Sequence, residues 1–148
     1  MSEQVVRVKD GWQLPVFRGL GVGELVISDS VHLRAGSHEI TLHARAEVLA
    51  VGETFDLAVT PRTNLGKVTD LLGQVFADVS AFEPGILQIH FANGWRLRVP
   101  ADAERPAWVV VVRGEGILAA KSGGGISATG ALAHRSAAPA DDGDPRGA

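Results

Sequence analysis

Cysteine and tyrosine are both absent from this 148-residue chain, and methionine occurs once. Without cysteine there is no disulfide, no thiolate nucleophile and no Cys-ligated metal. The aromatics are 5 Phe and 3 Trp, so the core must be built mostly from Val, Leu, Ile and Ala. Long apolar runs are missing as well, and none approaches the roughly 20 residues that span a bilayer. Positive charge is not in excess: 14 Lys and Arg against 17 Asp and Glu leave a net charge of -3 at pH 7. A nucleic-acid footprint, which needs clustered basic residues, is therefore not expected. The first ten residues mix acidic and basic side chains where a secretion signal needs an apolar core. These absences point to a cytoplasmic protein with no membrane and no nucleic-acid partner.

What the chain does have is alternation. Apolar residues fall at Leu87, Ile89 and Phe91 and again at Trp95, Leu97 and Val99, with polar residues between. This period-two pattern, broken by Ala92-Asn93-Gly94, reads as a half-buried β-hairpin. A two-residue Asn-Gly loop would set Phe91 against Arg96 and mix the faces. A three-residue loop with Gly94 in the left-handed region instead pairs Phe91 with Trp95, Ile89 with Leu97 and Leu87 with Val99. That register puts Gln88, His90, Arg96 and Arg98 on the outward face.

Similar short runs recur along the chain between glycine punctuation. Strands are expected over 5–8, 12–17, 24–27, 31–34, 39–44, 47–51 and 54–59, then over 74–80, the hairpin, 107–112, 117–120 and 125–128. Pro15 removes a ladder donor, which places the 12–17 run at an edge or an end. The continuous run Val109 to Val112 suggests a strand covered on both faces. Val68, Leu71 and Leu72 have helical spacing, so 64–72 reads as a short helix crossing between two β halves, with Asn64 or Thr63 as its cap. One domain over 1–128 is expected: an all-β protein with minor α, a small antiparallel β-sandwich or partly open barrel of two related halves, about 19–62 and 72–128. The Ala, Gly, Pro and Asp composition of 129–148 predicts a disordered tail whose removal leaves stability unchanged.

The second half resembles a family of small uncharacterised bacterial domains, domain of unknown function 6188, and the first half does so loosely. The matching residues are Leu72, Gly73 and Val75; Gly85, Leu87, Ile89 and Phe91; Asn93 and Gly94; Leu97 and Val99; Ala107 and Trp108; and Gly123 and Gly124. Arg105-Pro106 stands where the family tends to carry Tyr-Glu, and Ser122 where it tends to carry Pro. The resemblance implies an architecture of core positions and turn glycines, and no activity.

Chemical motifs fail on inspection. His38 and His43 are five residues apart on an alternating segment, so they face opposite ways, whereas a zincin helix needs a spacing of four. Lys121-Ser122 lacks the preceding Gly and the following helix of a phosphate loop. No Gly-x-Ser-x-Gly elbow exists, and the carboxylates are scattered. The expected function is non-catalytic binding with no cofactor and no metal, through Gln88, His90, Arg96 and Arg98, with another protein as partner in an accessory or immunity-like role. Self-association through an edge strand near Pro15 is a further expectation. The alternative is a barrel that holds a small ligand and has an unrecognised activity, which close packing of Leu87, Ile89, Leu97 and Val99 on Val109 and Val111 would weaken.

Overall fold

A computed structural model describes residues 4–59 and 62–136. In chain order the strands are β1 (Val6–Val8), β2 (Gly11–Gln13), β3 (Glu24–Ile27), β4 (Val31–Ala35), β5 (His38–Leu42), β6 (Ala46–Ala50) and β7 (Glu53–Leu57). After the short helix α1 (Leu65–Val68) come β8 (Phe76–Phe82), β9 (Ile86–Phe91), β10 (Arg96–Val99), β11 (Trp108–Val112), β12 (Gly116–Ala120), β13 (Ile126–Ala128) and α2 (Leu132–Ser136). All pairings between these strands are antiparallel. The alternation in the sequence fits this arrangement: one side chain in two is apolar, so each strand buries one face and leaves the other to solvent, as antiparallel sheets allow.

The strands form two sheets, a sandwich and not a barrel. One has seven strands in the order β1-β2-β8-β9-β10-β6-β7, the other six in the order β13-β12-β11-β5-β4-β3. Each sheet contains a three-strand meander continued by a hairpin from the other part of the chain. The order β3-β4-β5-β11-β12 in one matches β8-β9-β10-β6-β7 in the other, strand for strand. The registers match too. Ile40 lies between Leu33 and Val110, and Leu97 lies between Ile89 and Val48. All six are buried in one continuous core between the sheets.

Trp108 ties the layers together. Its indole is buried on β11 of the six-stranded sheet, and Nε1 donates at 2.9 Å to the carbonyl of Gly85. Gly85 sits in the β8–β9 turn of the other sheet, at φ 129°. A Cβ there would stand 3.0 Å from the Gly125 carbonyl oxygen, so the turn accepts only glycine at this close approach.

Several expectations are corrected. β11 is not covered on both faces: Trp108, Val110 and Val112 are buried, whereas Val109 and Val111 are half-buried on the outside. Pro15 opens a single 3-10 turn, Pro15–Phe17, and the strand before it lies between β1 and β8, not at an edge. Among the described strands the edges are β1, β7, β3 and β13. The helical crossover is one turn of α-helix followed by a 3-10 turn, Thr69–Leu71, which buries Val68 and Leu71 and leaves Leu72 exposed. Asn64 stands at its start in the left-handed region, and its amide donates to the Asp56 carbonyl at 2.6 Å instead of capping.

The largest correction concerns the C-terminus. The fold continues past residue 128: the Thr129 amide donates to Ile117 at 2.9 Å, the Leu132 amide donates to Glu115 at 3.2 Å, and Leu132 is fully buried in the core. Composition hid this because one leucine among alanines carries the docking. Residues 137–148 of the expected tail lie outside the described residues.

A chain ending at Gly130 should therefore melt about 5 °C or more below the full chain, since it loses a core leucine. Leu97→Ala should cost about 2–4 kcal/mol in urea unfolding, against under about 0.5 kcal/mol for an exposed position on the same strand such as Arg96→Ala.

Candidate binding face

The β9–β10 hairpin places the candidate residues. Gly94, at φ 97°, closes the Ala92-Asn93-Gly94 loop, with its amide donating to the Phe91 carbonyl at 3.0 Å. Asn93 Oδ1 accepts from the Trp95 amide at 3.0 Å. A β-carbon at Gly94 would force a strained left-handed backbone. The resulting pairs are Arg96 with His90, Leu97 with Ile89, Arg98 with Gln88 and Val99 with Leu87. Gln88, His90, Arg96 and Arg98 therefore share the outer face of the seven-stranded sheet.

β6 adds two residues that sequence reasoning missed. It pairs Leu49 with Arg96 and Glu47 with Arg98. The six outward side chains rim a shallow concavity of about 180 Å3. Glu47 lies 3.5 Å from Arg98, with both side chains nearly half exposed, so the pair adds at most about 1 kcal/mol. It nonetheless offsets the charge of Arg98. Arg96 is exposed, and among the described residues it has no side-chain hydrogen bond or ion pair; the same holds for Gln88 and His90. Leu49 beside it is 45% exposed. On the other flank His90 is opposite Asp78, whose carboxylate is taken by Arg18 at 3.2 Å. The face is a single free guanidinium next to an exposed leucine, with a neutralised Arg–Glu pair alongside.

The matching face of the other sheet contrasts with it. There Arg34 bonds Glu39 and Glu24 at 2.9 Å each, and His32 and Thr41 both reach the same Glu39 carboxylate at 3.0 and 2.9 Å. Burial alone raises the Glu39 carboxyl, but hydrogen bonds from Arg34, His32 and Thr41 outweigh it and leave it below the ordinary carboxylate value. That face satisfies itself.

The remaining motifs are structural in their contacts. His38 packs edge-on against Phe17 at 5.8 Å, and its Nδ1 accepts from the Arg113 amide at 3.0 Å. His43 reaches the other side of the strand, where its Nδ1 is 2.6 Å from Ser30 Oγ. Among the described residues no group of three or more His, Asp or Glu is placed to hold a metal ion. Lys121-Ser122 opens a tight turn, its amide donating to the Gly125 carbonyl at 2.8 Å. Leu87, Ile89, Leu97 and Val99 are buried in the same core as the inward Trp108 and Val110, whereas Val109 and Val111 lie on the other face of β11. Trp12 and Trp108 are buried, and Trp95 is half-buried beside Phe55 at 6.2 Å.

The model of the Family of unknown function (DUF6188) matches residues 12–130, which takes in both meanders. Comparison with curated proteins and with solved structures finds no match. Among the described residues no helix is long and apolar enough to cross a membrane.

Two histidines make stability depend on pH. Burial holds both His38 and His43 below the ordinary imidazole value near 6.5, and the charges of His32 and Arg105 push His43 further the same way. As pH falls below about 6.5 the unfolded chain takes up protons before the folded one, so stability present above that pH is lost through the window beneath it. The melting temperature should fall between pH 7 and pH 5, and the slope should flatten in a His38→Asn/His43→Asn variant.

Proposed function

The chain belongs to the family of unknown function DUF6188, and we propose that it is a non-catalytic binding domain that captures another protein in the cytoplasm. The observation that carries this reading is the difference between two matching faces. Outward positions on β4 and β5 close a network in which every charge has a partner. The corresponding positions on β9 and β10 leave Arg96, Gln88 and His90 without one among the described residues. Charged strand residues commonly cover a sheet with their stems and nothing more. Here the free guanidinium adjoins an exposed Leu49, and that combination suits a partner segment that offers a carboxylate beside an aliphatic group. Arginine grips carboxylates through two parallel bonds, and the leucine supplies apolar area at the same spot.

A β-barrel ligand site is the weaker reading, because the residues that would line it fill the core. The accessory or immunity-like role belongs to the same proposal: a small domain whose work is to occupy a larger protein.

Arg96→Glu is the cleanest test, since it removes no internal bond. Partners captured from the native host on the immobilised full chain should lose at least about tenfold in affinity with the variant, while the melting temperature stays within a degree or two. Adding Arg98→Glu should abolish capture, and capture by the unaltered chain should weaken as salt rises. Capture that survives both reversals in a folded protein would place the interface elsewhere.

A further inference from the structure

We infer that a second site, on the outer side of the six-stranded sheet, takes a small zwitterion carrying a carboxylate and an ammonium group, of which a free α-amino acid is the simplest. The site is a concavity of about 270 Å3 lined by Asp29, Ser30, His43, Arg105, Pro106 and Val109. It lies on the sheet opposite to the Arg96 face and does not depend on the reading of that face.

Three chain segments converge there. The β3–β4 turn supplies Asp29 and Ser30, the residue after β5 is His43, and the β10–β11 connection brings Arg105 and Pro106 over Val109 of β11. His43 is held at two points. Its amide donates to the Ala107 carbonyl at 2.9 Å, and its Nδ1 is 2.6 Å from the hydroxyl of Ser30, a residue only 6% exposed. With Ser30 donating to Nδ1, the single proton of the neutral ring sits on Nε2, which has no partner among the described residues and is left to donate to a ligand. Ser30 is thus a positioning residue: its hydroxyl pins Nδ1 and turns the Nε2 edge of the ring away from Ser30.

The charges decide the ligand class. Asp29 and Arg105 line the same concavity, both are exposed, and among the described residues neither has a side-chain hydrogen bond or ion pair. They stay apart instead of bridging. A lone anion such as phosphate would gain Arg105 and His43 but face the Asp29 charge. A lone cation would meet the reverse. A molecule with both charges satisfies both side chains: its carboxylate meets the guanidinium fork and the Nε2 proton, and its ammonium meets Asp29. The half-buried Val109 and the ring of Pro106 offer an apolar wall that suits a short aliphatic side chain. A shallow open site with so few contacts binds weakly, on the order of millimolar.

The test is an NMR titration of the full-length protein with L-valine as probe, read at the His43 ring and the Val109 methyls. Saturable shifts should appear at both, and they should persist in Arg96→Glu. Arg105→Ala and Asp29→Asn, both exposed and harmless to the fold, should each weaken binding at least about tenfold. Ser30→Ala should change the His43 ring-nitrogen shifts that report its tautomer and weaken L-valine as well. Isobutyrate, isobutylamine and inorganic phosphate, each carrying one kind of charge, should bind far less well. Equal binding of any of these three, indifference to Asp29→Asn, or no saturable shift with L-valine at concentrations well above millimolar would overturn the assignment.

Discussion

Three non-local strand pairings hold the described part of this molecule together, β2 with β8 among them, and the surfaces discussed above depend on the other two. β10 pairs with β6, joining Leu97 to Val48 across about fifty residues, and β5 pairs with β11, joining Ile40 to Val110 across seventy. Each seam stitches a locally formed meander to a hairpin from the other part of the chain. Neither meander can cover its own apolar face, so each half contributes strands to both layers and the core forms only when the exchange is complete. The cost is loop-closure entropy, which grows slowly with length and is offset by the apolar area the two layers bury against each other. Trp108 secures the arrangement from inside, with its indole in one layer and its hydrogen bond in the other.

The inward positions of the two matching strand sets are alike because they fill one core. The outward positions have no such constraint and have diverged. On one side Glu39 gathers Arg34, His32 and Thr41 into a closed network. On the other, the position facing His90 is Arg96, which pairs with no acid among the described residues: Glu47 is spent on Arg98, and Asp78, across from His90, on Arg18. Within the two matching strand sets, the outward positions of one are thus self-satisfied and those of the other keep unused hydrogen-bonding capacity. The latter is where a partner gains most, since its groups replace water instead of displacing an existing bond.

The family match is a statement about this scaffold. Most residues that carry the resemblance are buried or turn-forming: Leu87, Ile89, Phe91, Leu97, Val99, Ala107 and Trp108 lie in the core, and Gly94 and Gly85 sit at positive φ. Leu72 and Val75 are exceptions, at 54% and 39% exposed, beside the Ala92-Asn93 turn. The side chains argued above to meet a partner or ligand, Gln88, His90, Arg96 and Arg98 on one sheet and Asp29, His43 and Arg105 on the other, lie outside that set.

Local pattern determined the strands, because a period of two in apolar residues has one physical meaning and glycine-marked turns bound it. It also determined the hairpin register, since only a three-residue loop keeps Ile89 and Leu97 on the same side, and with it the placing of Gln88, His90, Arg96 and Arg98. Tertiary structure alone decided who stands beside them. Nothing in the run Ala46–Ala50 announces that Glu47 and Leu49 will flank Arg98 and Arg96, for strand pairing at long range is chosen by how the whole core closes. The same is true of the short C-terminal helix and of Arg105 beside His43. Leu132 docks because β12 and β13 leave a place for it, and Val109 faces outward because β5 and β12 orient its strand. Periodicity reports which side of a strand is apolar; only the packed layers determine what that side, and the other, will meet.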